Sequence, residues 1–159
     1  MNDIFINSAK SCCFTGHRIL YKDFNKRKVE KIIKDLINEN YDTFLVGMAI
    51  GFDTECAKIL IELKKEYNIK IIACIPCKNQ SARFNKVQKE EYNNLLEKVD
   101  ERVILSEEYT PNCMKNRNEF MVNNSSVVVA YLKKDFGGTN QTVNYAEKNF
   151  KKIIYVNEK

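Results

Sequence analysis

Short apolar runs alternate with longer amphipathic stretches along nearly the whole chain, and this alternation limits the fold more than any other feature. Six of the apolar runs predict strands, and several of them lack the polar–apolar alternation of a half-exposed strand. Unbroken apolar strands are typical of a parallel sheet with helices on both faces. The predicted strands span residues 11–15, 43–46, 70–75, 102–105, 126–132 and 152–156.

Five amphipathic stretches between these runs predict helices. In three of them apolar residues recur every three or four positions, which places them on one helix face. These residues are Val29, Ile32, Ile33, Leu36 and Ile37; then Cys56, Leu60, Leu63 and Tyr67; and, more loosely, Phe84, Val87, Leu95, Leu96 and Val99. Two further helices are predicted over residues 114–124 and 141–150. Strands that alternate with helices form βαβ units, so the sequence predicts an α/β protein.

No internal repeat, low-complexity linker or shift in composition divides the chain. Its 159 residues fit one domain with a full core, and we therefore predict a single domain over residues 1–159. Residues 1–10 fit either a loose N-terminal arm or an added edge strand.

The chain has 5 glycines, and all of them follow predicted strands. Gly16 follows the first strand, Gly47 and Gly51 follow the second, and Gly137 and Gly138 follow the fifth. Glycine permits the close approach of another group, and the helix that comes next offers unpaired amides and a positive dipole end to an anion. A single such turn is explained by the geometry of a tight connection. Three turns at one sheet edge, with the hydroxyls of Thr15, Thr139 and Thr142 beside them, predict a phosphate-bearing, nucleotide-like ligand.

Charge and glycine spacing narrow the ligand classes. The net charge is +5, with 26 Lys and Arg scattered among 21 Asp and Glu instead of forming a tract. This balance favours a small anionic ligand and makes duplex nucleic acid an unexpected partner. The glycines match neither the Gly-x-Gly-x-x-Gly dinucleotide motif nor the phosphate loop of NTPases. A standard NAD dehydrogenase and a P-loop NTPase are therefore both disfavoured.

Apolar content and cysteine placement indicate the cellular compartment of the protein. The chain has no apolar run of about 20 residues and no secretory signal at its N-terminus, so no membrane association is expected. Its 6 cysteines lie mostly within apolar segments, which favours a reduced, cytoplasmic protein. Cys74 and Cys77 form a C-x-x-C pair, but two further zinc ligands at suitable spacing are missing. We predict core and turn roles for this pair and no metal site.

Five motifs occur in a characteristic order. They are Cys13-Phe14-Thr15-Gly16-His17-Arg18, Gly47-Met48-Ala49-Ile50-Gly51-Phe52-Asp53, Ile75-Pro76-Cys77 with Gln80, Arg117-Asn118 and Gly137-Gly138-Thr139. From about residue 12 to residue 150 the chain resembles the YpsA-like family of the SLOG superfamily, which also includes the LOG phosphoribohydrolases and the DNA-uptake protein DprA. The resemblance implies a Rossmann-like, doubly wound sheet with a ligand crevice at the strand ends. It also implies binding of nucleotides or of NAD-derived, ADP-ribose-like molecules, and a homodimer.

The LOG enzymes of this superfamily carry an arginine and a glutamate at their ribosyl site. The segment from Met114 to Met121 is similar to the motif that holds the arginine, which makes Arg117 the corresponding residue. The glutamate position falls on Asn144, or on Tyr145 or Thr142 if the register is shifted, and none of these is a carboxylate. Glycosidic cleavage normally needs a carboxylate beside the reacting carbon. LOG-type hydrolysis is therefore disfavoured and no catalytic residue is predicted, although Asp53 could supply the acid from another loop.

Individual residues at the strand ends have predicted roles. The guanidinium groups of Arg117 and Arg18 suit a phosphate. His17 is expected to cap its turn or to contact the ligand, and Asp53 either complements a helix dipole or accepts from a ribose hydroxyl. The full predicted ligand-binding set is Thr15, Gly16, His17, Arg18, Gly47, Met48, Gly51, Asp53, Gln80, Arg117, Asn118, Gly137, Gly138, Thr139 and Thr142.

Three functions fit this set. The leading hypothesis is non-catalytic binding, by a sensor or a sequestering protein, of a nucleotide or an ADP-ribose/NAD-derived signalling molecule, with no cofactor required. The second is a LOG-like nucleotide or N-glycosidic hydrolase that uses Asp53 and Arg117. The third is a protein-interaction scaffold related to cell division, which the resemblance to YpsA suggests.

Overall fold

The computed structural model describes residues 4–157, and its centre is one sheet of six strands. The strands are β1 (Ser11–Gly16), β2 (Thr43–Val46), β3 (Lys70–Ile75), β4 (Glu101–Ile104), β5 (Val127–Tyr131) and β6 (Lys152–Tyr155). Every pairing among them is parallel, and their order across the sheet is β4-β3-β2-β1-β5-β6. The predicted α/β, Rossmann-like, doubly wound parallel sheet is confirmed.

In the part of the chain that the structure describes, five helices cover the two faces of this sheet. They are α1 (Lys26–Asn38), α2 (Phe52–Leu63), α3 (Lys86–Lys98), α4 (Cys113–Asn123) and α5 (Gly138–Lys148). Helices α1, α2 and α3 share one apolar core with strand residues such as Phe14, whereas α4 and α5 pack on the other face with the preceding strand residue, Cys13. Successive side chains of a strand point to opposite faces, so both faces of β1 are apolar and both are buried. Within residues 4–157 no helix combines the length and the apolarity that a membrane span requires.

The order of the strands places a crevice at one edge of the sheet. From β1 the chain winds through β2 and β3 to β4, and it then returns to the other side of β1 to add β5 and β6. The direction of winding therefore reverses between β1 and β5. In doubly wound sheets a ligand crevice opens outside the carboxyl ends of the strands at such a switch point.

Several predicted boundaries differ from the observed ones for identifiable reasons. Helix α2 ends at Leu63, and Tyr67 lies in the turn beyond it, where its N–H donates to the Leu63 carbonyl over 2.9 Å. Val87 is 74% exposed, because Tyr92, Leu95 and Leu96 form the buried face of α3. The placement of Tyr67 in the helix was wrong, although Tyr67 does pack against the core, and the burial of Val87 was wrong.

The start of α5 was also wrong, and this difference matters for the site. The helix begins at Gly138 instead of residue 141, because Gly137 adopts φ 92° and serves as the N-cap. Gly138 and Thr139 therefore belong to the first helical turn. At the N-terminus, residues 4–7 form no strand and Ser8–Lys10 form a single 3₁₀ turn, while residues 1–3 of the predicted arm lie outside the described residues.

Candidate ligand-binding site

A cavity of about 360 Å³ opens at the switch point between β1 and β5. Its walls come from the end of β1, the loops after β1, β2 and β5, the first turns of α2 and α5, and the first two turns of α4. The lining residues are Phe14, Thr15, Gly16, His17, Arg18, Ile19, Tyr21, Ala49, Asp53, Met114, Arg117, Asn118, Lys134, Phe136, Gly137, Gly138 and Thr139. The volume lies within the range of small-molecule sites, roughly 300–1,000 Å³.

Ten of the fifteen residues predicted to bind a ligand lie on this lining, and the other five lie behind it. Thr142 is one turn into α5, where its Oγ1 donates to the Gly138 carbonyl over 2.8 Å. Met48 and Gly51 line a separate cavity of about 110 Å³. Gln80 donates from Nε2 to the Gly47 carbonyl over 2.9 Å. These five residues do not line the main cavity, and ligand contact by any of the fifteen stays a prediction.

Several lining residues lie outside the predicted set, and four of them form much of the rim. Ile19 and Tyr21 follow the His17-Arg18 motif, and Lys134 and Phe136 precede Gly137. Ile19 and Phe136 are exposed, and the Lys134 ammonium lies 5.5 Å from the centre of the Phe136 ring. Their nearness in sequence to predicted motifs was the available signal. An exposed Ile and Phe beside a cavity provide an apolar surface on which a flat ring can stack.

Arg117 is buried, yet it lines the cavity and forms no ion pair among the described residues. Its side chain donates from Nε to Asn118 Oδ1 over 2.7 Å, from Nη1 to the Gly47 carbonyl, and weakly from Nη2 to Met114 Sδ over 3.8 Å. Burial lowers the pKa of Arg117, and the nearby Asp53 carboxylate opposes that effect. A guanidinium has five N–H donors, so one N–H on each terminal nitrogen is left for a ligand. A buried cation without an ion-pair partner creates a site that an anion stabilises.

The Arg117 and Asp53 side chains both lie close to Gly47. A Cβ built on Gly47 would lie 2.7 Å from Arg117 Nη1 and 2.9 Å from Asp53 Oδ2. Any larger residue would displace one of the two charged groups. The absence of a side chain at position 47 therefore allows α2 and α4 to present a carboxylate and a guanidinium to the same cavity.

Asp53 lies in the first turn of α2 and is buried at the cavity wall. The Ala49 N–H donates to its Oδ2 over 3.2 Å. Burial raises the pKa of Asp53 from 3.8 to about 6, and Arg117, Ala49 and Arg18 oppose that rise. The carboxylate is therefore mostly ionised at neutral pH, but its ionisation destabilises the folded protein.

We expect the Asp53→Asn variant to gain stability relative to the wild-type protein as the pH rises. Because the folded-state pKa is raised, the contribution of Asp53 is fully favourable below pH 3.8 and is lost as the pH rises to about 6. Each pH unit of this window is worth about 1.4 kcal/mol, so the difference in unfolding free energy grows by about 2–3 kcal/mol. Urea titrations of both proteins between pH 4 and 7.5 measure it, and parallel pH profiles would contradict the assignment.

The amino end of α5 faces the cavity without a side-chain cap. Gly137, the N-cap residue, makes no side-chain hydrogen bond, and the first intrahelical bond runs from the Gln141 N–H to the Gly137 carbonyl. A Cβ added to Gly137 or Gly138 would meet nothing within 4 Å, so both residues border open space. Unpaired first-turn amides and the positive end of the helix dipole attract an anion to such a position.

His17 is held by a backbone contact. Its Nε2 accepts from the Lys133 N–H over 2.8 Å, so in the neutral ring the proton is on Nδ1. Burial, with a smaller effect of Lys134, lowers the pKa of His17. Because Nε2 already accepts this hydrogen bond, it is not free to take a proton from a ligand. The bond links the loop after β1 to the segment that follows β5.

Comparisons with known proteins agree on the family and the fold. A sequence model of the YspA SLOG family matches residues 14–158. The uncharacterized SPbeta prophage-derived protein YoqJ of Bacillus subtilis (strain 168) is 32% identical in an alignment of 139 residues that covers 79% of this chain and 81% of YoqJ.

Two solved structures share the fold at low sequence identity. DNA processing protein A (DprA) from Streptococcus pneumoniae gives a TM-score of 0.70 at 20% identity, over 92% of this chain and 50% of DprA. DprA from Helicobacter pylori, whose structure is described for its single-stranded DNA binding mode, gives a TM-score of 0.71 at 14% identity, over 96% of this chain and 67% of DprA. The chain thus spans about half the length of the pneumococcal protein.

Proposed function

Because the chain belongs to the YspA SLOG family, we propose that it binds a nucleotide or an ADP-ribose-like, NAD-derived molecule at the carboxyl edge of its sheet. In this proposal the protein senses or sequesters the ligand and does not convert it. The single observation that carries the proposal is the buried Arg117, which has no ion-pair partner among the described residues and lines the same cavity as the uncapped amino end of α5.

The phosphate end of the ligand is the best-supported part. The described lining contains three cationic side chains, Arg18, Arg117 and Lys134, and one carboxylate, Asp53. A guanidinium with free N–H donors and a helix amino end are two features that bind phosphate in proteins. Both border one cavity here, so a phosphate there satisfies the buried charge of Arg117 and the free amides of α5 together.

The remaining walls suit the sugar and the base of a nucleotide. Asp53 is an acceptor, and a ribose hydroxyl would supply the donor that its partly desolvated carboxylate needs. The exposed side chains of Ile19 and Phe136 provide apolar surface at the rim for a heterocyclic base. A phosphate group, a sugar diol and a flat ring occur together in nucleotides and in ADP-ribose.

The proposal excludes conversion of the ligand because of the residues that lie in the middle of α5. Thr142 is buried with its hydroxyl bonded to Gly138, Asn144 is exposed, and Tyr145 donates to Asn123 Oδ1 over 2.7 Å. None of these three residues lines the main cavity. The carboxylate expected of a LOG-type glycosidic hydrolase is therefore missing from this wall.

A thermal-shift panel tests the proposal. We expect AMP, NAD or ADP-ribose at millimolar concentration to raise the melting temperature, because a ligand that binds only the folded state stabilises it. Adenosine, which lacks phosphate, is the matched control and should have little effect. An oligothymidylate tests single-stranded DNA as an alternative ligand. A protein stabilised by the oligonucleotide and by none of the small molecules would contradict the proposal.

A second candidate function is hydrolysis of an N-glycosidic bond with Asp53 as the acid or base. The observation in its favour is that Asp53 lines the cavity beside Arg117 with a pKa raised to about 6, a value that suits proton transfer near neutral pH. Chromatography of AMP incubated with the protein distinguishes the two functions. Release of adenine that Asp53→Asn abolishes, while binding persists, would establish the hydrolase.

We expect Gly138→Ala to separate binding from folding. In the first turn of α5 an alanine is favoured over glycine by up to about 1 kcal/mol, so stability is unchanged or rises. The new methyl group, however, enters the open space where the proposed phosphate lies. Nucleotide affinity should fall at least about tenfold, equivalent to about 1.4 kcal/mol, in a calorimetric titration. Wild-type affinity in this variant would place the phosphate elsewhere.

A further inference from the structure

We propose that Gln80 and Tyr92 are positioning residues that hold the Arg117 guanidinium at the cavity by way of the Gly47 carbonyl. Neither residue lines the main cavity, and Tyr92 belongs to α3, on the opposite face of the sheet from Arg117 in α4. The inference rests on the proposed function only where it concerns ligand affinity. Gln80 was predicted to contact the ligand, and in this proposal it instead holds the carbonyl that positions Arg117.

One buried chain of hydrogen bonds connects these residues. The Gly47 carbonyl accepts from Arg117 Nη1 and from Gln80 Nε2, and Tyr92 Oη donates to Gln80 Oε1 over 2.8 Å. Arg117, Gln80 and Tyr92 are only 5%, 8% and 7% exposed. A carbonyl oxygen has two lone pairs, so both acceptor sites of Gly47 are used.

The backbone at this carbonyl is strained in a way that the two donors oppose. Met48 has φ 62°, in the left-handed region that a residue with a side chain rarely adopts. Rotation of the peptide between Gly47 and Met48 would bring that φ to the negative side, and it would turn the carbonyl away from Arg117. Two hydrogen bonds to the carbonyl, one from a cation, outweigh the strain of a single residue. Loss of Gln80 therefore frees this peptide to rotate.

Arg117 depends on this carbonyl for its placement. Its bond to Asn118 joins neighbours on α4, and its contact with Met114 is weak and also within α4. Among the described residues, the Gly47 carbonyl is its one hydrogen-bond partner outside that helix. A rotated peptide would leave the guanidinium without a fixed position relative to β2 and α2.

The first test needs no ligand. The ¹⁵Nε–Hε resonance of Arg117, assigned by its loss in Arg117→Lys, reports how firmly the guanidinium is held. We expect Gln80→Leu to shift this resonance and to speed its solvent exchange at least tenfold, and Tyr92→Phe to produce a smaller shift in the same direction. Tyr41→Phe is the matched control, because its hydroxyl accepts from Ser126 at the opposite edge of the sheet. An Arg117 resonance unchanged in Gln80→Leu would overturn the proposal.

The second test is a double-mutant cycle on affinity for AMP or ADP-ribose, whichever the wild-type protein binds more tightly. We expect Gln80→Leu to weaken binding about tenfold in the wild-type background and less than twofold in Arg117→Lys. Equal losses in both backgrounds would show a general structural effect and overturn the proposal. If Gln80→Leu does not fold, Tyr92→Phe takes its place in both tests. A wild-type protein that binds neither probe refutes the proposed function, and the resonance test then decides the positioning role alone.

Discussion

Replacing Arg117 by methionine should weaken nucleotide binding at least about 100-fold while the protein stays folded. The variant removes the one N–H on each terminal nitrogen that the described contacts leave for a ligand. A hydrogen bond to a charged group is worth about 1.5–3 kcal/mol, so two of them correspond to a factor of about 100 or more. Calorimetric titration of both proteins with the ligand found in the thermal-shift panel measures the difference.

The stability of Arg117→Met and the behaviour of Arg117→Lys serve as controls. Arg117 opposes the raised pKa of the buried Asp53 carboxylate, so its loss makes ionised Asp53 less favourable and the unfolding free energy at neutral pH should fall by about 1–3 kcal/mol, which urea unfolding measures. Lysine keeps the charge but loses the forked geometry, and we expect an intermediate loss of about tenfold in affinity. Arg117→Met with affinity within twofold of the wild type would show that the cavity does not bind phosphate through this residue.

Gly51→Ala should destabilise the protein by at least about 3 kcal/mol, through backbone strain and steric overlap together. Gly51, the N-cap of α2, adopts φ 85°, a conformation that costs an L residue about 1–2 kcal/mol. Its added Cβ would overlap the carbonyl oxygen of Arg18 and lie 2.6 Å from the Arg18 Cα, where backbone cannot yield as a flexible side chain does. Overpacking of this kind adds about 1–3 kcal/mol. Urea unfolding at neutral pH measures the loss.

Gly138→Ala is the matched control, because the same change there meets open space. Since the Arg18 loop forms part of the cavity wall, Gly51→Ala should also weaken nucleotide binding, whereas Gly138→Ala should weaken binding alone. A loss of stability below about 1 kcal/mol in Gly51→Ala would show that the loop after β1 shifts freely, contrary to the packing of this loop against α2.

The sheet could be predicted because its strands are short apolar runs that fit few other secondary structures. The bounds of β2 and β3 match the prediction, and the other strands differ by one residue at one or both ends. The first residues of the helices were harder to predict from the sequence. Glycine has a poor helix propensity, so Gly137 and Gly138 predicted a loop, whereas the observed φ of Gly137 starts α5 there. The edge-facing position of Arg117 followed from its spacing one turn before Met121, which is buried in the core.

The features that could not be predicted from the sequence depend on contacts between residues that are far apart in the chain. The bond from the Lys133 N–H to His17 joins positions 116 apart, and no local pattern marks it. Ligand contact by Gln80 stays a prediction, but the hydrogen bond from its Nε2 to the Gly47 carbonyl, 33 positions away, is also marked by no local pattern. The absence of catalysis and the identity of the ligand stay predictions that the experiments above address, and the homodimer also stays a prediction.

A nuclear magnetic resonance titration tests most directly whether a phosphate lies between Arg117 and the amino end of α5. Isotope-labelled protein is titrated with ADP-ribose, with AMP and with adenosine as the control that lacks phosphate. We predict that both phosphorylated ligands cause their largest shifts at the Gly138 and Thr139 amides and at the Arg117 side chain, and that adenosine leaves these signals unchanged. Absence of shifts at millimolar ligand, or shifts confined to other parts of the protein, would contradict the proposed site.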